Sequence, residues 1–187
     1  MVWDQERIAL MNKIKKLDFD FDEQAIRLYY LQYQFNPIYR QYVDLIKRSG
    51  TDVKTVYDIP FLPIRFFKEF EVKTGNYSPQ ITFLSSGTSQ VSRSRHLIRD
   101  LSWYHWVSKS CFDHSFFPQS FTNFNHLGYL PSYADNPQSS LLSMLDEFIK
   151  SSGGGFFHHD QRKLIEYFEA NHYKPNIIWG EIGRAHV

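Results

Sequence analysis

Cysteine is almost absent: Cys111 is the single one, so an internal disulfide is excluded and a cysteine-built metal site has no basis. An excess of one charge is missing too. The chain carries 21 Lys and Arg against 20 Asp and Glu, a net charge of +1, too weak a field to argue for nucleic acid. No apolar run approaches the roughly 20 residues that cross a bilayer. The opening MVWDQERIAL has acids early and no long apolar core, unlike a secretory signal. A cytoplasmic protein without a membrane span is therefore expected. Internal repeats are lacking, and the triple glycine at 153–155 is too short for a linker. Aromatic bulk is what the chain has in plenty: 18% of its 187 residues, with 17 Phe. That suits a thick core or an apolar pocket.

The first fifty residues read as helical scaffolding. A weakly amphipathic helix over 3–17 is broken at Asp18-Phe19-Asp20. Asp20 and Glu23 then have capping-box spacing and open FDEQAIRLYYLQYQF, with Ile26, Tyr29, Tyr30 and Tyr33 on one face. Asn36-Pro37 restarts a helix as cap and first residue, and that helix is expected to stop at Gly50. The next stretch, YDIPFLPIRFFKEF, differs in kind. Pro60 and Pro63 hold Phe61 and Leu62 extended ahead of a turn with Phe66 and Phe67. It reads as a rigid apolar connector packed on the core, with the lining of an acyl or aromatic pocket as the alternative.

From residue 80 strands and helices alternate. Strands are expected at 81–84, 97–98, 124–130 and 177–179. Helices are expected from the Asp100 cap to about Phe117, over 139–150 with Leu141, Leu142, Leu145 and Phe148 inward, and over 160–171. The pattern predicts an α/β fold with a helical lead-in: a helical segment at 1–57, then an α/β domain at 58–180.

Between the first two of these strands lies SSGTSQVSRSRH. Small residues after a buried strand let several backbone N–H groups converge on one concavity, and such nests bind anions, phosphate above all. Ser85, Ser86, Thr88 and Ser89 add hydroxyl donors, Gly87 permits a close approach, and Arg93 and Arg95 supply positive charge. A solvated loop is the plain alternative. No Gly-Lys-Ser/Thr of the Walker type is present, which disfavours a P-loop triphosphatase.

The run SSGTS with RSRH resembles the phosphate loop of the adenylate-forming superfamily. DIPFLPIRFFK (58–68), FLSSGTSQVSRSRHLIRDLSWY (83–104) and LPSYADNPQSSLLSMLDEFIKSSGGGFF (130–157) are similar to the acyl-protein synthetase branch (LuxE type) that serves bacterial luminescence. The likeness implies that 58–180 is part of an adenylate-forming domain. It implies ATP-dependent activation of a fatty acid as acyl-adenylate, with Mg²⁺, and transfer of the acyl group to a protein thiol. The acceptor would be an acyl-accepting protein or a reductase partner. By matching position, Ser85, Ser86, Gly87, Thr88 and Ser89 would hold phosphate, Arg95 would be the basic residue, and His96 its companion near the adenylate. A packed structural histidine is the alternative for His96. Gln90 and Val91 depart from the glycine-led turn usual in that loop. A CoA ligase of the phenylacetate-ligase type is the neighbouring enzyme reading, and a non-catalytic anion-binding module is the reading from outside enzymes.

Further candidates are weaker. Tyr133, Ser139 and Ser140 fall in a matching segment and could border the substrate pocket, or form only a turn and an ordinary cap. His158 and His159 beside Asp160 suggest a metal, but adjacent side chains diverge and no third ligand is apparent, so no protein metal site is expected. Cys111 reads as a small core residue, since the family's acceptor cysteine lies nearer the C-terminus than this chain reaches. The closing IGRAHV is what ATC GGA AGA GCA CAC GTC encodes, a string like a sequencing adapter. Residues 181–187 are therefore expected to be a non-native tail on the front part of a longer protein, inactive alone.

Overall fold

Short polar side chains set the starts of the first helices. The computed structural model describes residues 2–46, 53–85, 93–116, 121–158 and 160–180. After α1 (Val2–Lys16), Asp20 accepts the Glu23 N–H at 2.8 Å and starts α2 (Phe21–Phe35). Asn36 works on two helices: its own N–H closes α2 on the Gln32 carbonyl, and its side chain accepts the Tyr39 N–H at 3.1 Å to open α3 (Pro37–Leu45). Regular helix ends at Leu45, and the expected stop at Gly50 lies outside the described residues. α1 buries no residue, in keeping with its weak amphipathy.

The chain divides into two compact units. In the first, Tyr29, Tyr39, Val43 and Val53 are the buried centre, with Ile26, Tyr33, Tyr42, Ile59 and Leu62 against it. Tyr30, expected on the inward face, is half exposed and donates its hydroxyl to the Val53 carbonyl instead. The proline connector is anchored here. The Tyr39 hydroxyl donates to the Pro60 carbonyl at 2.6 Å, and burial pushes that phenol's pKa far above its ordinary value. The connector belongs to this unit, which runs to Ser78 and takes up the start of β2 (Arg95–Ile98). It is only partly packed: Phe61 is 82% exposed and Ile64 stands in solvent, while Ile59 and Leu62 turn inward.

The second unit holds β1 (Ile81–Leu84) and the chain from Ile98 onward. Asp100 accepts the Trp103 N–H at 3.0 Å ahead of α5 (Leu101–Phe116). β3 (Asn125–Tyr129) is the centre of a parallel sheet ordered β4-β3-β5, where β4 is Gly154–Phe156 and β5 is Asn176–Gly180. His126 pairs with Gly154 on one side and Ile177 on the other. α6 (Ser140–Ser152) links β3 to β4, and α7 (Gln161–Ala170), capped by Asp160, links β4 to β5. The strand order therefore reverses across β3. In open α/β sheets, ligands bind beyond the carboxyl ends of strands at such a reversal.

α6 turns Leu142, Leu145 and Phe148 inward. Leu141 corrects the expectation, for it is 39% exposed. The inward stripe steps by three residues from 142, and 141 lies about 100° off it. Ser139 accepts the Leu142 N–H at 3.3 Å and caps this helix. Replacing it, Ser139→Ala, is expected to cost about 1 kcal/mol, while Ser139→Asp keeps the cap. Urea unfolding of both variants checks this.

Candidate functional site

Several contacts fix the end of β1, where the hydroxyl-rich loop departs. Phe83 is buried against Tyr104 of α5, ring centroids 5.2 Å apart. Tyr104 sends its hydroxyl to the Ser140 carbonyl at 2.9 Å, and burial raises its pKa against the lowering effect of the bonds with Ser108 and Ser140. The Leu84 N–H donates to the Gln138 carbonyl at 3.0 Å. Ser85 thus follows a strand end tied to the residue just before the Ser139 cap. Ser139 and Ser140 cap and open the 13-residue α6, and Ser85 is the residue after the strand end bonded to Gln138. The first turn of a helix has amides with no acceptor inside the helix, and its dipole favours an anion. Ser86, Gly87, Thr88 and Ser89 lie outside the described residues.

Tyr133 takes a different place. It follows the carboxyl end of β3 and packs against the cluster of Leu130, Leu142 and Leu145. That is the edge where the strand order reverses, so the position suits a pocket wall, although the contacts alone are those of a packed side chain.

Arg95 and His96 belong to the other unit. They are consecutive residues of β2, and consecutive strand residues point to opposite faces. The strand therefore turns the two side chains to opposite faces. Arg95 is half-buried and His96 exposed. His96 has a partner the sequence does not announce: its ring lies over Phe67, centroids 5.0 Å apart and planes within 13°. Phe67 sits on α4 (Phe66–Glu69), the turn that ends the proline connector.

A polar cluster missed by sequence reasoning lies between α5 and α6. His105 Nε2 is 3.0 Å from the Ser143 hydroxyl, and its Nδ1 is 3.7 Å from a Glu147 oxygen. Lys109 donates to the other Glu147 oxygen at 2.6 Å and to Ser151 at 2.7 Å. Serine, histidine and carboxylate in that order suggest a hydrolase. Ser143 is only 2% exposed in mid-helix, however, and a nucleophile there cannot meet a substrate. The cluster is a helix–helix seam. Burial lowers the His105 pKa, aided by Lys109 and Lys150 and opposed by Glu147 and Asp146. Burial also works to raise the Glu147 carboxyl, yet the Lys109 hydrogen bond and the charges of Lys109, His105 and Lys150 hold it below its usual range.

The His105 shift has a consequence for stability. The folded ring binds its proton less tightly than the unfolded one, so the unfolded chain takes up more protons just below the ordinary value of 6.5. The stabilising contribution is complete above that value and is lost as the pH falls through the lowered folded value. Urea midpoints measured at pH 7 and pH 5 are expected to drop on acidification, and to drop less in His105→Gln.

Two further side chains have structural roles. His126, fully buried, sits among Phe112, Phe148 and Trp179, and the Trp179 indole N–H donates to its Nδ1 at 3.1 Å. Nδ1 must then carry a lone pair, which makes the ring the neutral Nε2–H tautomer. Cys111 corrects its reading as a core residue, because it is exposed. The neighbouring Phe112 takes the inward position on α5, and a helix cannot turn adjacent residues to one face. Among the described residues no three His, Cys, Asp or Glu side chains gather as a metal site, and His159 lies outside them. No described helix is long and apolar enough to cross a membrane.

Comparison with protein-family models, with curated proteins and with solved structures finds no match.

Proposed function

We propose that this chain is part of an ATP-dependent acyl-activating enzyme of the acyl-protein synthetase type, within the adenylate-forming superfamily. The observation that carries the reading is the bond from Leu84 N–H to the Gln138 carbonyl. It ties the strand end that leads into SSGTS to the residue just before the Ser139 cap of α6, whose first turn favours an anion. The ordered likeness of three separate segments to one enzyme branch supports it from the sequence side.

In the proposed reaction a fatty carboxylate oxygen attacks the α-phosphorus of ATP. The bond between the α-phosphorus and its bridging oxygen breaks, pyrophosphate leaves, and the mixed anhydride later passes its acyl group to a thiol. Negative charge gathers on the phosphoryl oxygens, so catalysis is positioning and electrostatic stabilisation. Ser85 to Ser89 hold the phosphates through backbone N–H groups and hydroxyls. By the resemblance, and from opposite faces of β2, Arg95 would stabilise the developing charge and His96 would hydrogen-bond near the adenylate. Mg²⁺ screens the phosphates when bound. Tyr133 contributes a wall for the acyl chain or the base.

Exchange of labelled pyrophosphate into ATP, run on the complete gene product with a panel of carboxylic acids, tests the reading. Acid-dependent exchange is the expected result. No exchange with any acid leaves the non-catalytic anion-binding module as the better account. Exchange followed by acyl transfer to CoA, with no acylated protein, selects the phenylacetate-ligase type.

A further inference from the structure

The proline connector ends on a histidine. Pro60 is held by the Tyr39 hydroxyl at 2.6 Å, Ile59 and Leu62 pack on the Tyr39 and Val43 core, and Phe66 sets its edge on Tyr42 with centroids 5.5 Å apart. The turn between is closed by Phe66 N–H on the Pro63 carbonyl and Phe67 N–H on the Ile64 carbonyl. Each of these contacts removes freedom from the backbone that carries Phe67. The next ring along, Phe67, lies flat on His96.

A face-to-face stack constrains an imidazole in a particular way. The phenyl covers one face and fixes the ring plane, while both nitrogens lie in the ring edge and stay open to hydrogen bonding. His96 is exposed despite the stack, so the ring is oriented without being taken out of use. An ordinary packed histidine is different, as His126 shows: fully buried, with its Nδ1 engaged by an indole.

We propose that Phe67 is the positioning residue for His96, and that the connector over 58–70 serves to hold that imidazole in one plane for a ligand. The proposal rests on the adenylate-forming reading for the identity of the ligand, but the positioning itself does not.

Two measurements test it separately. The first is the proton spectrum of the His96 ring, assigned by comparison with His96→Ala. A stacked phenyl shields the imidazole protons, so they are expected upfield in the native chain, at unshielded positions in Phe67→Leu, and upfield again in Phe67→Tyr. Unshielded protons in the native chain overturn the proposal. The second is pyrophosphate exchange on the complete gene product. Phe67→Leu is expected to lower kcat about tenfold with little change in KM for the acid, since a small misplacement of a reacting group costs rate rather than binding. Phe67→Tyr should restore the rate, and Phe67→Leu should add nothing to His96→Ala. Native exchange in Phe67→Leu, or independent multiplication of the two losses, overturns the proposal. An absence of exchange in the native enzyme fells the functional reading, and the spectrum alone then decides the positioning.

Discussion

Arg95→Ala is expected to lower the rate of acyl-adenylate formation by about 10²–10³-fold, the size of loss that follows removal of one preorganised charge-stabilising donor. On the proposed adenylation KM for the carboxylate should move little, because the guanidinium would meet charge that exists fully only in the transition state. Arg95→Lys should recover only part of the loss. An ammonium restores the charge but not the two parallel N–H groups that match a pair of phosphoryl oxygens. Pyrophosphate exchange measured over a range of acid concentrations reads both variants. If Arg95→Ala changes only the melting temperature, or raises KM with kcat intact, Arg95 leaves the catalytic machinery and becomes a framework residue.

The other large effect is one of stability, at Gly154. This residue starts β4 with φ at +122°, a backbone state that side chains rarely adopt. A Cβ placed there would sit 1.9 Å from the His126 carbonyl oxygen and 2.7 Å from its carbon. Those atoms belong to the central strand, whose His126 is fully buried and locked by Trp179, so they cannot give way as a flexible side chain would. Gly154→Ala is therefore expected to cost at least about 3 kcal/mol, the backbone strain alone being of order 1–3 kcal/mol. Equilibrium urea unfolding of the whole chain measures it. A loss below about 1 kcal/mol would mean that β4 is not seated on β3 in the register that pairs His126 with Gly154.

These two sites were unequally legible in the sequence. Arg95 is marked by its place after a serine-rich loop. Gly154 is one of three glycines after a helix, and nothing local distinguishes a turn from a strand there. GGF became β4 because His126 to Gly128 offered it backbone partners. Glycine has little strand tendency of its own, so the tertiary contact had to supply the element.

The helix starts were the most readable part. Asp20, Asn36 and Asp100 cap as the sequence predicts, and Ser139 and Asp160, the first residues of two expected helices, cap them, because a cap is a bond between residues three apart. Strands with apolar runs, such as β1 and β5, were visible for a similar reason. The mixed α/β character followed from their alternation. Facing directions were less secure, as Leu141, Tyr30 and Cys111 show: each lies at the border of an apolar stripe, where packing with a distant segment decides which neighbour goes in.

The sequence by itself determined where most helices begin, which apolar stretches can be strands, and that a run of small hydroxyl residues is followed by basic ones. All of these are local properties, settled by side chains within a few residues of one another. Tertiary structure alone decided that Leu84 meets Gln138, that Phe67 covers His96, and that His105 joins Ser143 and Glu147. The partners in those contacts are about thirty to fifty-five residues apart in the sequence. Such pairings arise only when burial of the core brings distant segments to a common place, and no periodicity in the chain encodes them.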